Sequence, residues 1–174
     1  SILADHPMPD TLMANRVRML SALARASGYL GMCGGQALDL DAEGRRISLA
    51  ELEQVHRHKT GALIECAVTL GALCKADVEP ATLTALQTYA AAIGLAFQVQ
   101  DDILDITGDT ATLGKPQGSD LALEKSTYPA LLGLDNAREL ARELHDKALT
   151  ALQSLPYNTD ILEAFADYII ERTH

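Results

Sequence analysis

Twenty consecutive residues without a charge, Ala81 to Gln100, run directly into Asp101 and Asp102. A stretch of about twenty apolar residues is the length of a bilayer span. Here, however, Thr82, Thr84, Gln87, Thr88, Gln98 and Gln100 are scattered through it, so it is read as a helix of a folded protein and not as a membrane span. No segment alternates apolar and polar residues over four to eight positions, and Ala, Leu, Glu and Arg, all strong helix formers, dominate. The expected fold class is all-α.

The 174 residues are 48% hydrophobic and 22% charged, which suits one globular domain able to bury a core without disulfides or metals. Fourteen basic against twenty-four acidic side chains give a net charge of −10. That balance repels nucleic-acid backbones and anionic lipid surfaces, so neither is expected as a partner. Cys33, Cys66 and Cys74 are an odd count without CxxC spacing. They read as buried free thiols of a cytoplasmic protein, with no disulfide framework and no cysteine zinc site. The first residues show no secretory signal.

Helix boundaries follow from caps and breakers. A first helix is expected from about Asp10 toward Leu40, interrupted by Gly28, Gly31, Gly34 and Gly35. Ser48-Leu49-Ala50-Glu51 is a capping box and starts a second helix, running to about Cys74. A third spans about Ala81 to Ile106, and Gly108 to Gly118, with three glycines and Pro116, is a loop. Apolar residues from Leu134 to Leu155 recur at helical spacing up to Pro156, and a last helix covers about Thr159 to Arg172. No internal repeat and no linker to a second domain is present, so residues 1–174 are read as a single domain.

The chemistry concentrates in Phe97-Gln98-Val99-Gln100-Asp101-Asp102-Ile103-Leu104-Asp105. On a helix, Gln98, Asp101, Asp102 and Asp105 fall within an arc of about 100°. Ala90, Ala91 and Gly94 precede them on that arc and suggest a cavity wall of small side chains with an acidic rim. Carboxylates so close repel unless a cation joins them. Oxygen ligands without a nearby thiolate or imidazole favour Mg²⁺, which takes one or two carboxylates and completes its shell with water and phosphate oxygens. The alternative is a solvated acidic face, which the surrounding apolar pattern disfavours.

The other candidates are weaker singly. The glycines of Gly31-Met32-Cys33-Gly34-Gly35 favour close helix packing over a ligand surface. No GxxxxGK[ST] loop occurs, and Lys59-Thr60-Gly61 lacks the SxxK partner that a β-lactamase reading requires. His56 and His58 are two residues apart, face different sides of a helix and are taken as solvated. Lys59, Lys115 and Lys125 are each ordinary surface lysines in isolation. Together, beside an aspartate-rich helix, they suit a diphosphate ligand.

In this order, Gly34-Gly35-Gln36 with Asp39-Leu40, His58-Lys59-Thr60-Gly61, Phe97 to Asp105, Gly108-Asp109 with Gly114-Lys115, and Lys125-Ser126-Thr127-Tyr128-Pro129 resemble the trans-isoprenyl diphosphate synthases, most closely the bacterial farnesyl diphosphate synthases. The resemblance runs from about Gly28 to the end. It implies an isoprenoid synthase-type helical bundle around a cavity, a homodimer, and a head-to-tail prenyl transfer. In that reaction an allylic diphosphate, dimethylallyl or geranyl, ionises to an allylic cation, which isopentenyl diphosphate attacks before a proton is lost. By position, Asp101, Asp105 and Asp102 resemble the second aspartate-rich motif that binds Mg²⁺. Lys59, Lys115 and Lys125 resemble the lysines holding the leaving diphosphate. Thr60 and Gln98 match the oxygens facing the cation, and Gln36 and Asp39 line the same cavity.

The family's first aspartate-rich motif and its upstream GGKRxRP segment do not occur in these residues. The chain is therefore expected to be the C-terminal portion of a longer polyprenyl synthetase domain, inactive alone and with an exposed apolar face. A class I terpene cyclase and a noncatalytic helical subunit that pairs with a prenyltransferase are the alternatives.

Overall fold

The structure, a computed structural model, describes residues 2–108 and 125–172. Among the described residues there is no strand. In chain order the helices are α1 (Ile2–Asp5), a 3₁₀ turn (Asp10–Leu12), α2 (Met13–Ser27), α3 (Met32–Ala42), α4 (Leu49–His56), a π turn (Arg57–Gly61), α5 (Ala62–Leu73), α6 (Pro80–Thr107), α7 (Tyr128–Leu132), α8 (Leu134–Gln153) and α9 (Asp160–Glu171). The all-α expectation is met. The first expected helix is divided in two by the turn at Gly28–Gly31, where the Gly31 amide donates to the Gly28 carbonyl.

Helix α6 is the axis of the bundle. From Tyr89 to Ala96 every residue but Ala91 is buried, as expected of a helix that is apolar all round. This burial accounts for the absence of charge upstream of Asp101: a charged side chain there would lose its water with nothing to pair it. Helix α8 lies along α6 through Ala137, Ala141, Leu144, Ala148 and Leu152. The three buried alanines among these let the two backbones approach while the arginines and glutamates of α8 face outward. Tyr89 Oη donates to the Leu162 carbonyl at 2.8 Å, tying α6 to α9.

On the other side, α5 packs against α6, and α2 packs against α5. The buried Asn15 of α2 donates to the Leu73 and Lys75 carbonyls at 2.9 and 3.1 Å, satisfying acceptors that the end of α5 leaves open. The capping box of α4 forms as the sequence predicts: Ser48 Oγ accepts from the Glu51 amide, and Glu51 accepts from the Ser48 amide at 2.8 Å. Of the cysteines, Cys66 is buried, whereas Cys33 and Cys74 are exposed, and all three are free. Among the described residues no helix is long and apolar enough to cross a membrane. Large apolar side chains including Val17, Tyr29, Ile161, Phe165 and Tyr168 are exposed.

Candidate active site

Helices α4 and α5 form one continuous rod interrupted by the π turn, in which the Ala62 amide reaches back to the Arg57 carbonyl. A π turn inserts one extra residue into a helix and rotates the side chains that follow, and such turns concentrate at functional sites. The turn carries Lys59 and Thr60, two of the residues singled out from the sequence. Nothing in local propensity announces it; the sequence reads simply as helix.

Two glycines bring neighbouring helices onto this turn. A Cβ at Gly35 of α3 would stand 2.2 Å from the Lys59 amide nitrogen, and one at Gly94 of α6 would stand 3.4 Å from Gly61 Cα. The residue one helical turn beyond each glycine shares its face. Asp39, four residues after Gly35, accepts from Lys59 Nζ at 2.6 Å. Gln98, four residues after Gly94, accepts from Thr60 Oγ1 at 3.1 Å through its Oε1. Close helix packing at Gly35 is therefore the reading that holds. At Ala90 and Gly94, by contrast, the small side chains do not line an open wall. Ala90 is fully buried and Gly94 sits under Ile64 and Gly61, because a residue without bulk on a central helix is filled from the neighbouring one.

His56, which the sequence leaves solvated, is instead partly buried, with Nδ1 2.8 Å from Gln98 Oε1 and its ring stacked on Tyr128, centroids 5.6 Å apart. The sequence signal was available in part: His56 follows Val55 and Leu52 on α4, whose apolar side chains are buried. Burial pushes the imidazole pKa down from its usual value, partly countered by the Gln98 hydrogen bond.

The four residues of the acidic segment face different neighbours, because an arc of about 100° is wide enough for its edges to meet different helices. Gln98 Nε2 donates to Asp101 Oδ2 at 3.3 Å, and Arg172, after α9, donates to Asp101 Oδ1. Asp102 accepts from the Tyr128 amide at 2.9 Å. Asp105 is only 2% exposed. Among the described residues, no three carboxylate, imidazole or thiol side chains converge on a point that could hold a metal.

A cavity of about 520 Å³ opens beside the turn, with Asp39, His56, Lys59, Asp102 and Lys125 in its walls, a size suited to a small organic ligand. Gln36 is exposed on α3 and is not among these wall residues. Thr60, Gln98 and Asp101 stand next to the wall through the His56–Gln98 contact. Lys115 lies outside the described residues.

The donors fit a hard divalent cation to this extent. Asp101 is partly exposed, with 43% of its side chain accessible, and among the described residues its oxygens accept from the Gln98 amide and the Arg172 guanidinium. Magnesium takes one or two carboxylates and otherwise water and phosphate oxygens, so Asp101, with Asp102 at the cavity wall, could hold it. Asp105, as packed, is enclosed.

Residues 2–168 match the family model described as Polyprenyl synthetase. The chain is 60% identical to the farnesyl diphosphate synthase of Escherichia coli (strain K12), over 99% of this chain and 58% of that protein. It resembles the geranylgeranyl pyrophosphate synthetase of Pyrococcus horikoshii Ot3 at a TM-score of 0.84 and 28% identity, over 98% of this chain and 62% of that one. It also resembles the geranyltransferase of Helicobacter pylori complexed with magnesium and isoprenyl diphosphate, at a TM-score of 0.78 and 30% identity, over 97% of this chain and 54% of that one. The chain thus spans between half and two thirds of the length of these relatives. With the π turn, the glycine contacts and the acidic helix end already in view, a family match that runs through all of them leaves one assignment: this chain belongs to the polyprenyl synthetase family.

Proposed function

We propose that the complete protein carrying these residues is a trans-isoprenyl diphosphate synthase that condenses dimethylallyl or geranyl diphosphate with isopentenyl diphosphate to give farnesyl diphosphate. The observation that carries this reading is the convergence on one π turn of a lysine, two uncharged oxygens and a carboxylate: Lys59, Thr60, Gln98 and Asp101. Ionising an allylic C–O bond at neutral pH requires that the leaving diphosphate be met by positive charge as it forms. Lys59, at the cavity wall, supplies such charge, with Lys125 on the same wall and Lys115 as the third lysine of the set. Asp39, 2.6 Å from Lys59 Nζ, holds the ammonium in place.

Thr60 donates its hydroxyl proton to Gln98, which leaves the lone pairs of Oγ1 free to face a developing allylic cation. Gln98 Oε1 adds a second negative dipole end beside it. Neither oxygen carries a formal charge, so the pair stabilises the cation electrostatically without capturing it. Asp101, with Asp102 at the cavity wall, would hold magnesium, which when bound would supply Lewis-acid neutralisation of the leaving diphosphate; Asp105, enclosed as packed, would stand behind them. The relatives named as farnesyl diphosphate synthases support this transferase reading over a terpene cyclase or a noncatalytic subunit. A homodimer in the cytoplasm is part of the same proposal.

The test is an assay of the complete protein with geranyl diphosphate, isopentenyl diphosphate and Mg²⁺, with the product identified by chromatography. Farnesyl diphosphate is the expected product, and Asp101→Ala is expected to lower turnover by about 10²-fold or more. Turnover within about threefold of the parent would remove Asp101 from the machinery.

A further inference from the structure

We infer that His56 is the positioning residue for Gln98: its Nδ1–H fixes which way the Gln98 carboxamide faces, and thereby the direction of the Thr60 hydroxyl proton. The inference rests on the proposed prenyl transfer for its kinetic consequence, but its structural content stands on hydrogen-bond bookkeeping alone.

The order of donors and acceptors starts from Asp101. An ionised carboxylate only accepts, so the Gln98 atom 3.3 Å from Asp101 Oδ2 must be the amide nitrogen. The carboxamide oxygen then points the opposite way, toward both His56 Nδ1 at 2.8 Å and Thr60 Oγ1 at 3.1 Å. An oxygen only accepts, so His56 must carry its proton on Nδ1 and Thr60 must turn its hydroxyl hydrogen inward. The remaining ring nitrogen, Nε2, is a bare lone pair; it is buried and, among the described residues, has no hydrogen-bond partner. The ring is further held by its stack on Tyr128, whose amide is anchored to Asp102. The imidazole is thus fixed in tautomer and plane by α4, α6 and the start of α7.

If the carboxamide flipped, its NH₂ group would face Thr60 and the cavity side, and its oxygen would oppose the Asp101 carboxylate. A positive dipole end would then replace a negative one next to the site where the allylic cation forms. A neutral His56 with an Nδ1 proton forbids that flip. A cationic His56 would retain the donor but place a full positive charge beside the same site, and the absence of an acceptor at Nε2 disfavours it.

The experiment uses the complete protein and three readouts. First, ¹⁵N chemical shifts of the His56 ring at neutral pH are expected to show a protonated Nδ1 and a bare Nε2. Second, Asn places its N–H where Nδ1–H lies, whereas Gln places it where Nε2 lies. His56→Asn is therefore expected to keep kcat within about threefold, and His56→Gln to lower kcat about tenfold or more with KM for the allylic diphosphate little changed. Third, thermal melts of both polar variants are expected to show cooperative unfolding. A proton found on Nε2, or His56→Gln matching wild-type kcat, or both folded variants equally impaired, would overturn the assignment. If the wild-type protein did not condense the prenyl diphosphates at all, the functional reading would fail, and the ring spectrum would still decide the role of His56.

Discussion

Arg172 closes over Asp101: its guanidinium donates to the Asp101 carboxylate and to the Phe97 carbonyl, and its central carbon lies 4.3 Å above the Phe97 ring centroid. Only 9% of the arginine side chain is exposed. One side chain after α9 thereby joins charge, backbone and aromatic contacts to the acidic end of α6. Arg172→Met should destabilise the protein by about 1–2 kcal/mol, a value discounted for the exposure of Asp101. Paired urea melts with Asp101→Asn and the double variant check it. A coupling energy of about 1 kcal/mol is expected, and additive effects would show that the pair does not hold the helix end.

Gly35 and Lys59 set the distance between α3 and the π turn. Since a Cβ at Gly35 would come within 2.2 Å of the Lys59 amide nitrogen and 2.6 Å of its Cα, Gly35→Ala must push backbone from backbone. A loss of about 1–3 kcal/mol is expected, along with separation of Asp39 from Lys59. Gly71, with nothing within 4 Å of its Cβ position in the last turn of α5, is the control. Gly71→Ala should stabilise by roughly 0.4–1 kcal/mol, and the two melting temperatures should move in opposite directions.

These two glycines show how far the sequence was readable. Helix ends marked by local chemistry, such as the Ser48 box, Pro80 at the start of α6 and Gly108 at its end, were visible because the signal and the structure lie within a few residues. Gln98 and Asp101 were legible together from their helical spacing, but their meeting with Lys59 and Thr60 was visible only through resemblance, since it joins the π turn to α6 across a long stretch of chain. The π turn, the His56–Gln98 contact and the Arg172 contact were not legible. Each depends on which helix packs where, and a histidine two residues from another gives no hint that one ring meets Gln98 and Tyr128. Reading Ala90 and Gly94 as an open wall failed for the same reason: small residues announce room, and only the neighbouring helix decides who fills it.

The capping box at α4 makes a pH-dependent contribution. The Ser48 amide and hydroxyl hold the Glu51 carboxyl below its usual pKa, with Arg45 adding to the effect. The folded state thus binds this proton less readily than the unfolded state. The contribution of Glu51 is present above the ordinary glutamate pKa and is lost as pH falls through the depressed folded value. Ser48→Ala should cost about 1 kcal/mol at neutral pH. The gap between the wild-type and Glu51→Gln melting temperatures should shrink as the pH is lowered through that range; a constant gap would show that the carboxylate does not hold the cap.

His56 has the same sign of shift but the opposite charge, and its window lies higher. Burial lowers its folded pKa below the ordinary value of 6.5, so above that pH both states hold a neutral ring and the histidine adds no pH dependence. Between 6.5 and the depressed folded value the unfolded chain takes up a proton that the folded chain refuses, and stability falls with pH across that interval. His56→Asn cannot titrate and keeps the Gln98 hydrogen bond. Its melting temperature should therefore change less than that of the wild type as pH drops below 6.5. Proton uptake on unfolding, measured by calorimetry in buffers of different ionisation enthalpy, should be larger for the wild type than for the variant in that interval. Equal uptake would mean that the ring is solvated in the folded state and that Nδ1 does not hold Gln98.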